Sequence, residues 1–122
     1  SGGITLFEAI YSEVPMYVIN PFLVQEIKNS KFIEKEKNIC NIITESREYQ
    51  AYTSLNDLEE QIAKLNIKEL YRCHQSFVVN LKYVQKYEGS KFVLENGNII
   101  PISRGKKAEA KTKFYDMLRE VE

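Results

Sequence analysis

The stretch ELYRCHQSFVVNLKYV, residues 69–84, decides how this chain is read. Arg72, Cys73, His74 and Gln75 stand directly before the apolar run Phe77-Val78-Val79, and His74 is the only histidine. Metal binding, catalysis, core hydrogen bonding and nucleic-acid contact each offer a reason for that placement. Zinc needs three or four converging His, Cys or carboxylate ligands. Here Cys73 and His74 are neighbours, whose side chains point apart on an extended chain. The same geometry removes a Cys–His dyad unless Cys40 comes to face His74, and nothing adjacent supplies an oxyanion hole or an orienting acid. No catalytic residue, metal ligand or cofactor is therefore assigned.

Alternation along an unbroken strand groups Arg72, His74, Ser76, Val78 and Asn80 on one face. Tyr71, Cys73, Gln75, Phe77 and Val79 then share the other, which puts the Gln75 amide in the core. Burying an amide without partners is costly. A turn at His74-Gln75-Ser76 that expels Gln75 to the surface is the cheaper solution. A polar turn tip flanked by basic clusters is a place where nucleic acid can be read. The remaining polar residues of the stretch can equally tie neighbouring loops to the strand.

Working outward, the 122 residues suit one domain, with 43% hydrophobic and 28% charged content. No apolar run approaches the ~20 residues that span a bilayer, and no basic-then-apolar leader opens the chain. Two cysteines are too few for a secreted disulfide framework, so a reduced, cytoplasmic setting is expected. Ser1-Gly2-Gly3 reads as a cloning remnant, 4–13 as an N-terminal segment or linker, and 14–122 as the domain. Seventeen basic and seventeen acidic residues cancel to zero net charge, which alone argues against a nucleic-acid partner. The distribution is uneven, however. Arg104, Lys106, Lys107, Lys111 and Lys113 face only Glu109 across 104–113, so folding can gather a positive face.

Short strands are expected at 16–19, 23–27, 32–33, 39–44 and 48–52, with 34–38 as a polar loop and a turn near Glu45-Ser46-Arg47. Pro15 and Pro21 bracket the first of these and suggest an edge or short strand. In SLNDLEEQIAKL, residues 54–65, Ser54 is the N-cap and Leu55, Leu58, Ile62 and Leu65 form a helical stripe. Strands follow at 71–74, 77–80 and 84–87. Then comes the hairpin KFVLENGNIIPI, 91–102, whose Asn96-Gly97 tip suits a type I′ turn, and Pro101 keeps its strand at an edge or bulge. The C-terminal helix offers Ala108, Phe114, Met117, Leu118 and Val121 for packing. The fold class expected is mostly β.

Taken together, LYRCHQSFVVNLKYV and FVLENGNIIPISR resemble the signature of the LytTR family of bacterial DNA-binding domains. The family's R-x-H-x-S-x-x-x-N pattern stands as Arg72, His74, Ser76 and Asn80. Its N-G hairpin and P-[VI]-S-R element stand as Asn96-Gly97 and Pro101-Ile102-Ser103-Arg104. EIKNSKFIEKEKN and SLNDLEEQI are similar to its upstream strand-and-loop and its helix.

The resemblance implies small sheets stacked as an elongated β sandwich with one short internal helix and a C-terminal helix. It also implies a transcription regulator that inserts loops into the major grooves of double-stranded DNA, commonly at imperfect direct repeats. Many relatives are response-regulator outputs of two-component systems. A receiver domain and a homodimer on DNA are left open, and no membrane partner is implied. Carried over by position, Lys37 and Asn38 match the first base-reading loop, although Asn38 departs from the family's aromatic or histidine. Gln75 matches the second loop, with an amide suited to adenine, and Arg104 the third, with a guanidinium suited to guanine. Ser76, Lys106 and Lys107 are expected on phosphates, while Arg72, His74 and Asn80 form a structural motif. His74 and Asn80 would brace the Gln75 turn, and Cys73 is a packed thiol. A protein-interaction module that has lost DNA binding, and a small-molecule sensor with an aromatic-lined cavity, are the alternatives.

Overall fold

A computed structural model describes residues 15–20 and 39–121, apart from the side chains of 120 and 121. The described chain forms eight strands and two helices. β1 (Tyr17–Ile19), β2 (Cys40–Ile43) and β3 (Glu48–Ala51) precede helix α1 (Leu55–Lys64). The hairpin β4 (Leu70–His74) and β5 (Phe77–Asn80) follows. A 3-10 turn then leads into β6 (Val84–Tyr87), β7 (Lys91–Leu94) and β8 (Ile99–Pro101), and α2 (Lys107–Val121) closes the chain. The two sheets are antiparallel throughout, in the order β3-β2-β1-β5-β4 and β6-β7-β8.

Period-2 patterning splits the larger sheet into two apolar faces. Val18, Cys40, Ile42, Leu70 and Val78 point to one side, where Leu55, Leu58 and Ile62 of α1 cover them. Met16, Tyr71, Cys73, Phe77 and Val79 point to the other, against Phe92, Leu94 and Ile100 of the smaller sheet and Ala110, Phe114 and Met117 of α2. Each large side chain removed from water here contributes ~1.5–3 kcal/mol before entropy is counted. β5 is thus buried from both sides, which is why Phe77-Val78-Val79 reads as a continuous apolar run. The architecture is mostly β: two stacked sheets, with one helix covering the outer face of the larger.

Local chemistry sets the element ends. Ser54 Oγ accepts from the Asp57 amide at 3.1 Å and starts α1. Thr44 closes the β2–β3 connection, since its Oγ1 accepts from the Arg47 amide and donates to the Arg47 carbonyl, at 3.1 and 2.9 Å.

Several expectations are corrected. Of the two readings of β1, it is a short strand and not an edge: it pairs with both β2 and β5, and at three residues it is short enough for Pro15 to fall outside the ladder. Leu65 is 41% exposed, because α1 has ended and its stripe has run past the sheet. On α2 the buried set is Ala110, Phe114 and Met117, while Ala108 and Leu118 face solvent. The Asn96-Gly97 tip is not type I′, since Gly97 has φ of 92° but Asn96 does not have positive φ. Instead the Gly97 amide donates to the Leu94 carbonyl and the Leu94 amide to the Asn98 carbonyl, which closes a three-residue loop with a glycine bulge. The strands expected at 23–27 and 32–33, and the loop 34–38, lie outside the described residues, as does the Val121 side chain.

Candidate nucleic-acid interface

β4 and β5 are joined by two residues, Gln75 and Ser76, with His74 and Phe77 as the last paired positions. The register slips between Arg72 and His74, so Cys73 is bulged and Gln75 is carried clear of the sheet. Three bonds fix this turn. Arg72 Nη2 donates to the Gln75 carbonyl at 2.7 Å, and its Nε reaches the His74 carbonyl at 3.4 Å. The Ser76 amide donates to His74 Nδ1 at 3.1 Å, which requires that nitrogen to be unprotonated. Burial, and then the nearby Arg72 guanidinium, hold the His74 pKa below its ordinary value, so the acceptor form is favoured. The imidazole also meets the Phe77 ring edge-on at 5.7 Å. With its backbone held, Gln75 presents an exposed side chain that makes no hydrogen bond among the described residues.

The segment after β8 is fastened to the same strand. The Ser103 amide donates to the Cys73 carbonyl at 2.8 Å, and Cys73 Sγ donates to the Pro101 carbonyl at 3.4 Å. A 3-10 turn over Arg104–Lys106 then enters α2. Lys106 Nζ donates to the Arg72 carbonyl at 2.8 Å and lies 5.9 Å from the centre of the Tyr71 ring. Tyr71 in turn donates its hydroxyl to Glu109 at 2.7 Å, locking the first turn of α2 onto β4. Burial, followed by that carboxylate, pushes the Tyr71 phenol far up, so it remains a donor. Arg104 and Lys107 are exposed, and their side chains have no partner among the described residues. β4 therefore brings the Gln75 turn and the Arg104 segment to one end of the larger sheet.

The residues singled out in the sequence separate accordingly. Gln75, Arg104 and Lys107 are exposed, and their side chains are uncommitted among the described residues. Ser76 is not available to a phosphate, because it is fully buried and its Oγ has no hydrogen-bond partner. Lys106 is spent on Arg72 and Tyr71 rather than projecting into solvent. Asn80 does not brace the Gln75 turn, since it sits at the far end of β5. There its Nδ2 donates to the Pro15 carbonyl at 2.7 Å and its Oδ1 accepts from the Lys82 amide at 3.0 Å, capping the 3-10 turn. Lys37 and Asn38 lie outside the described residues.

Sequence reasoning missed Asn56 and Glu59, two α1 residues whose side chains both accept from Arg72 Nη1, Glu59 at 3.1 Å. Both stand off the apolar stripe of α1. The spacing to Arg72 is long-range, and no local periodicity reports it.

Both thiols are inert by environment. Burial pushes Cys73 up to about 12 and Cys40 up to about 11. Among the described residues no three His, Cys, Asp or Glu side chains cluster as a metal site. Within the same residues, no helix is long and apolar enough to cross a membrane.

Comparison with known proteins gives consistent matches. The chain is similar to the transcriptional regulatory protein NatR of Bacillus subtilis (strain 168), with 30% identity over 64 residues. That match covers 52% of this chain and about a quarter (26%) of NatR. In fold, the chain resembles the LytTr DNA-binding domain of a putative methyl-accepting/DNA response regulator from Bacillus cereus. The TM-score is 0.56 at 20% identity, covering 81% of this chain and 79% of that one. A family model for the LytTr DNA-binding domain matches residues 20–115, well over half of the sequence. On that match, and on the two-sheet fold that carries it, the chain belongs to the LytTr DNA-binding domain family.

Proposed function

We propose that this domain recognises specific double-stranded DNA on behalf of a transcription regulator, placing loop tips in the major groove. In this reading Gln75 and Arg104 read base edges. The Gln75 amide offers a donor and an acceptor to adenine N6 and N7, and the Arg104 guanidinium offers two donors to guanine O6 and N7. Lys107 takes a phosphate. A lysine at the first position of α2 opposes the helix dipole, and a phosphate at that place offsets the cost. Lys37 and Asn38 complete the set as a third loop, and a receiver domain elsewhere in the whole protein supplies the signal.

One observation carries the reading. The Ser103 amide bonded to the Cys73 carbonyl ties the segment before Arg104 to the strand before Gln75, and neither of these exposed side chains has a partner among the described residues. A reading group must be held by bonds that do not use its own side chain, and Gln75 meets that condition.

The test is selection of bound duplexes from a random pool, followed by titration of the selected duplex at several salt concentrations. Enrichment of one motif, with affinity falling steeply as salt rises, is the expected result. Zero net charge favours a second reading, an interaction module on the same fold that no longer binds DNA. Absence of binding to any duplex at low salt would select it.

A further inference from the structure

Helix α1 lies on the outer face of the larger sheet, yet it reaches the turn that presents Gln75. Arg72 is the link. One end of its guanidinium grips the Gln75 carbonyl at 2.7 Å, and the other is held by the Asn56 side-chain oxygen and by Glu59 at 3.1 Å. The Arg72 side chain is only 12% exposed, so these bonds work in a partly desolvated place. A guanidinium has five donors in one plane. Occupying Nη1 from α1 fixes that plane, and with it the direction in which Nη2 meets the turn.

We propose that Asn56 and Glu59 are positioning residues for base recognition, acting through Arg72 to set the orientation of Gln75. Among the described residues Arg72 has little else to hold it: its remaining side-chain bond, to the His74 carbonyl, is long at 3.4 Å. Without the two acceptors from α1, the guanidinium is free to rotate about its last torsions. The Gln75 carbonyl then loses its fixed donor, and the turn gains freedom at the point where an amide must align with a base edge. Loosening a recognition group by about 1 Å is enough to lose a bidentate contact. Affinity for phosphate is unaffected by this, because no phosphate-binding group is disturbed. Asn56 is exposed and the Glu59 side chain is 51% exposed, so neither substitution opens a core cavity.

The inference rests on Gln75 reading a base, and the experiment separates the two claims. Asn56→Ala, Glu59→Ala and the double variant, which removes both acceptors, are titrated against the selected duplex and against duplexes changed singly at each base pair. Glu60→Ala, at an exposed neighbour on the same helix, controls for the altered charge and truncation. At the base pair where Gln75→Ala relaxes preference, the double variant is expected to lose discrimination by about fivefold or more, the low end for one bidentate contact. Discrimination at the Arg104 base pair and the salt dependence should stay as in the unsubstituted protein, and Glu60→Ala should leave discrimination at both base pairs unchanged.

Loss of affinity that is equal on all duplexes, in step with a lowered Tm, would reduce the pair to a structural role and overturn the inference. So would unchanged discrimination in the double variant. If Gln75→Ala itself relaxes no position, the base-reading assignment fails first, and the failure lies there rather than in α1.

Discussion

The Ser103 amide and the Cys73 carbonyl, 2.8 Å apart, join the end of one sheet to the edge strand of the other. Cys73 is the bulged residue of β4, so its carbonyl is displaced from the β4–β5 ladder and is open to an outside donor. The irregularity that expels Gln75 also anchors the segment bearing Arg104. Ser103 has φ of −59°, which proline tolerates, so Ser103→Pro removes the donor with little backbone change. It is expected to cost about 1 kcal/mol in chemical denaturation, the value of one hydrogen bond. It should also relax base preference at the Arg104 position. A melt and an affinity map that both match the unsubstituted protein would show that the bond positions nothing.

Lys106 and Lys107 are sequence neighbours with different commitments. Lys107→Ala should weaken binding to all duplexes alike and reduce the salt slope of log K by about one. Lys106→Ala should leave that slope nearly unchanged and lower stability by about 1 kcal/mol, through its bond to the Arg72 carbonyl and its contact with Tyr71. Salt titrations of the two variants, paired with their denaturation curves, check this.

His74 gives the domain a pH dependence. Its pKa is lowered in the folded chain, so the unfolded chain binds more protons as the pH falls below about 6.5. The stabilisation is therefore complete above about 6.5, the unfolded value, and is lost as the pH falls through the depressed folded value. Protonation also takes away the acceptor used by the Ser76 amide. Acidification should thus lower Tm and loosen preference at the Gln75 base pair, even though added positive charge raises non-specific attraction to DNA. Specific-to-non-specific affinity ratios measured from pH 7.5 downward follow this, and a constant ratio would contradict it.

Asn80 serves stability rather than recognition. Asn80→Ala leaves the Pro15 carbonyl and the Lys82 amide without their buried partner, at a cost of about 1–3 kcal/mol. Base preference, measured at a temperature where the variant is folded, should be unaltered.

Much of this organisation was legible in the sequence because the signals are local. Ser54 capping Asp57, the apolar stripe of α1 and the alternating strands follow from periods of 3.6 and 2. The turn that expels Gln75 followed from the cost of burying an amide. What escaped depends on position in three dimensions. Asn80 and His74 share one motif, yet a whole strand separates their surroundings. Ser76 and Lys106 have side chains suited to phosphate, but one is sealed beneath its own turn and the other is drawn inward to a carbonyl. The Asn96-Gly97 pair identifies a hairpin without fixing its register, which the Leu94–Asn98 pairing decides. Tyr17–Ile19 gives no hint that it will occupy the centre of a sheet.

The most direct measurement is a base-by-base affinity map of Gln75→Ala and Arg104→Ala on the selected duplex. Each variant should lose ~1–3 kcal/mol of discrimination at one base pair, and the two positions should lie close together in the same groove. Equal losses on the selected and scrambled duplexes for both variants would contradict the account, since those side chains would then contribute charge or stability and read nothing.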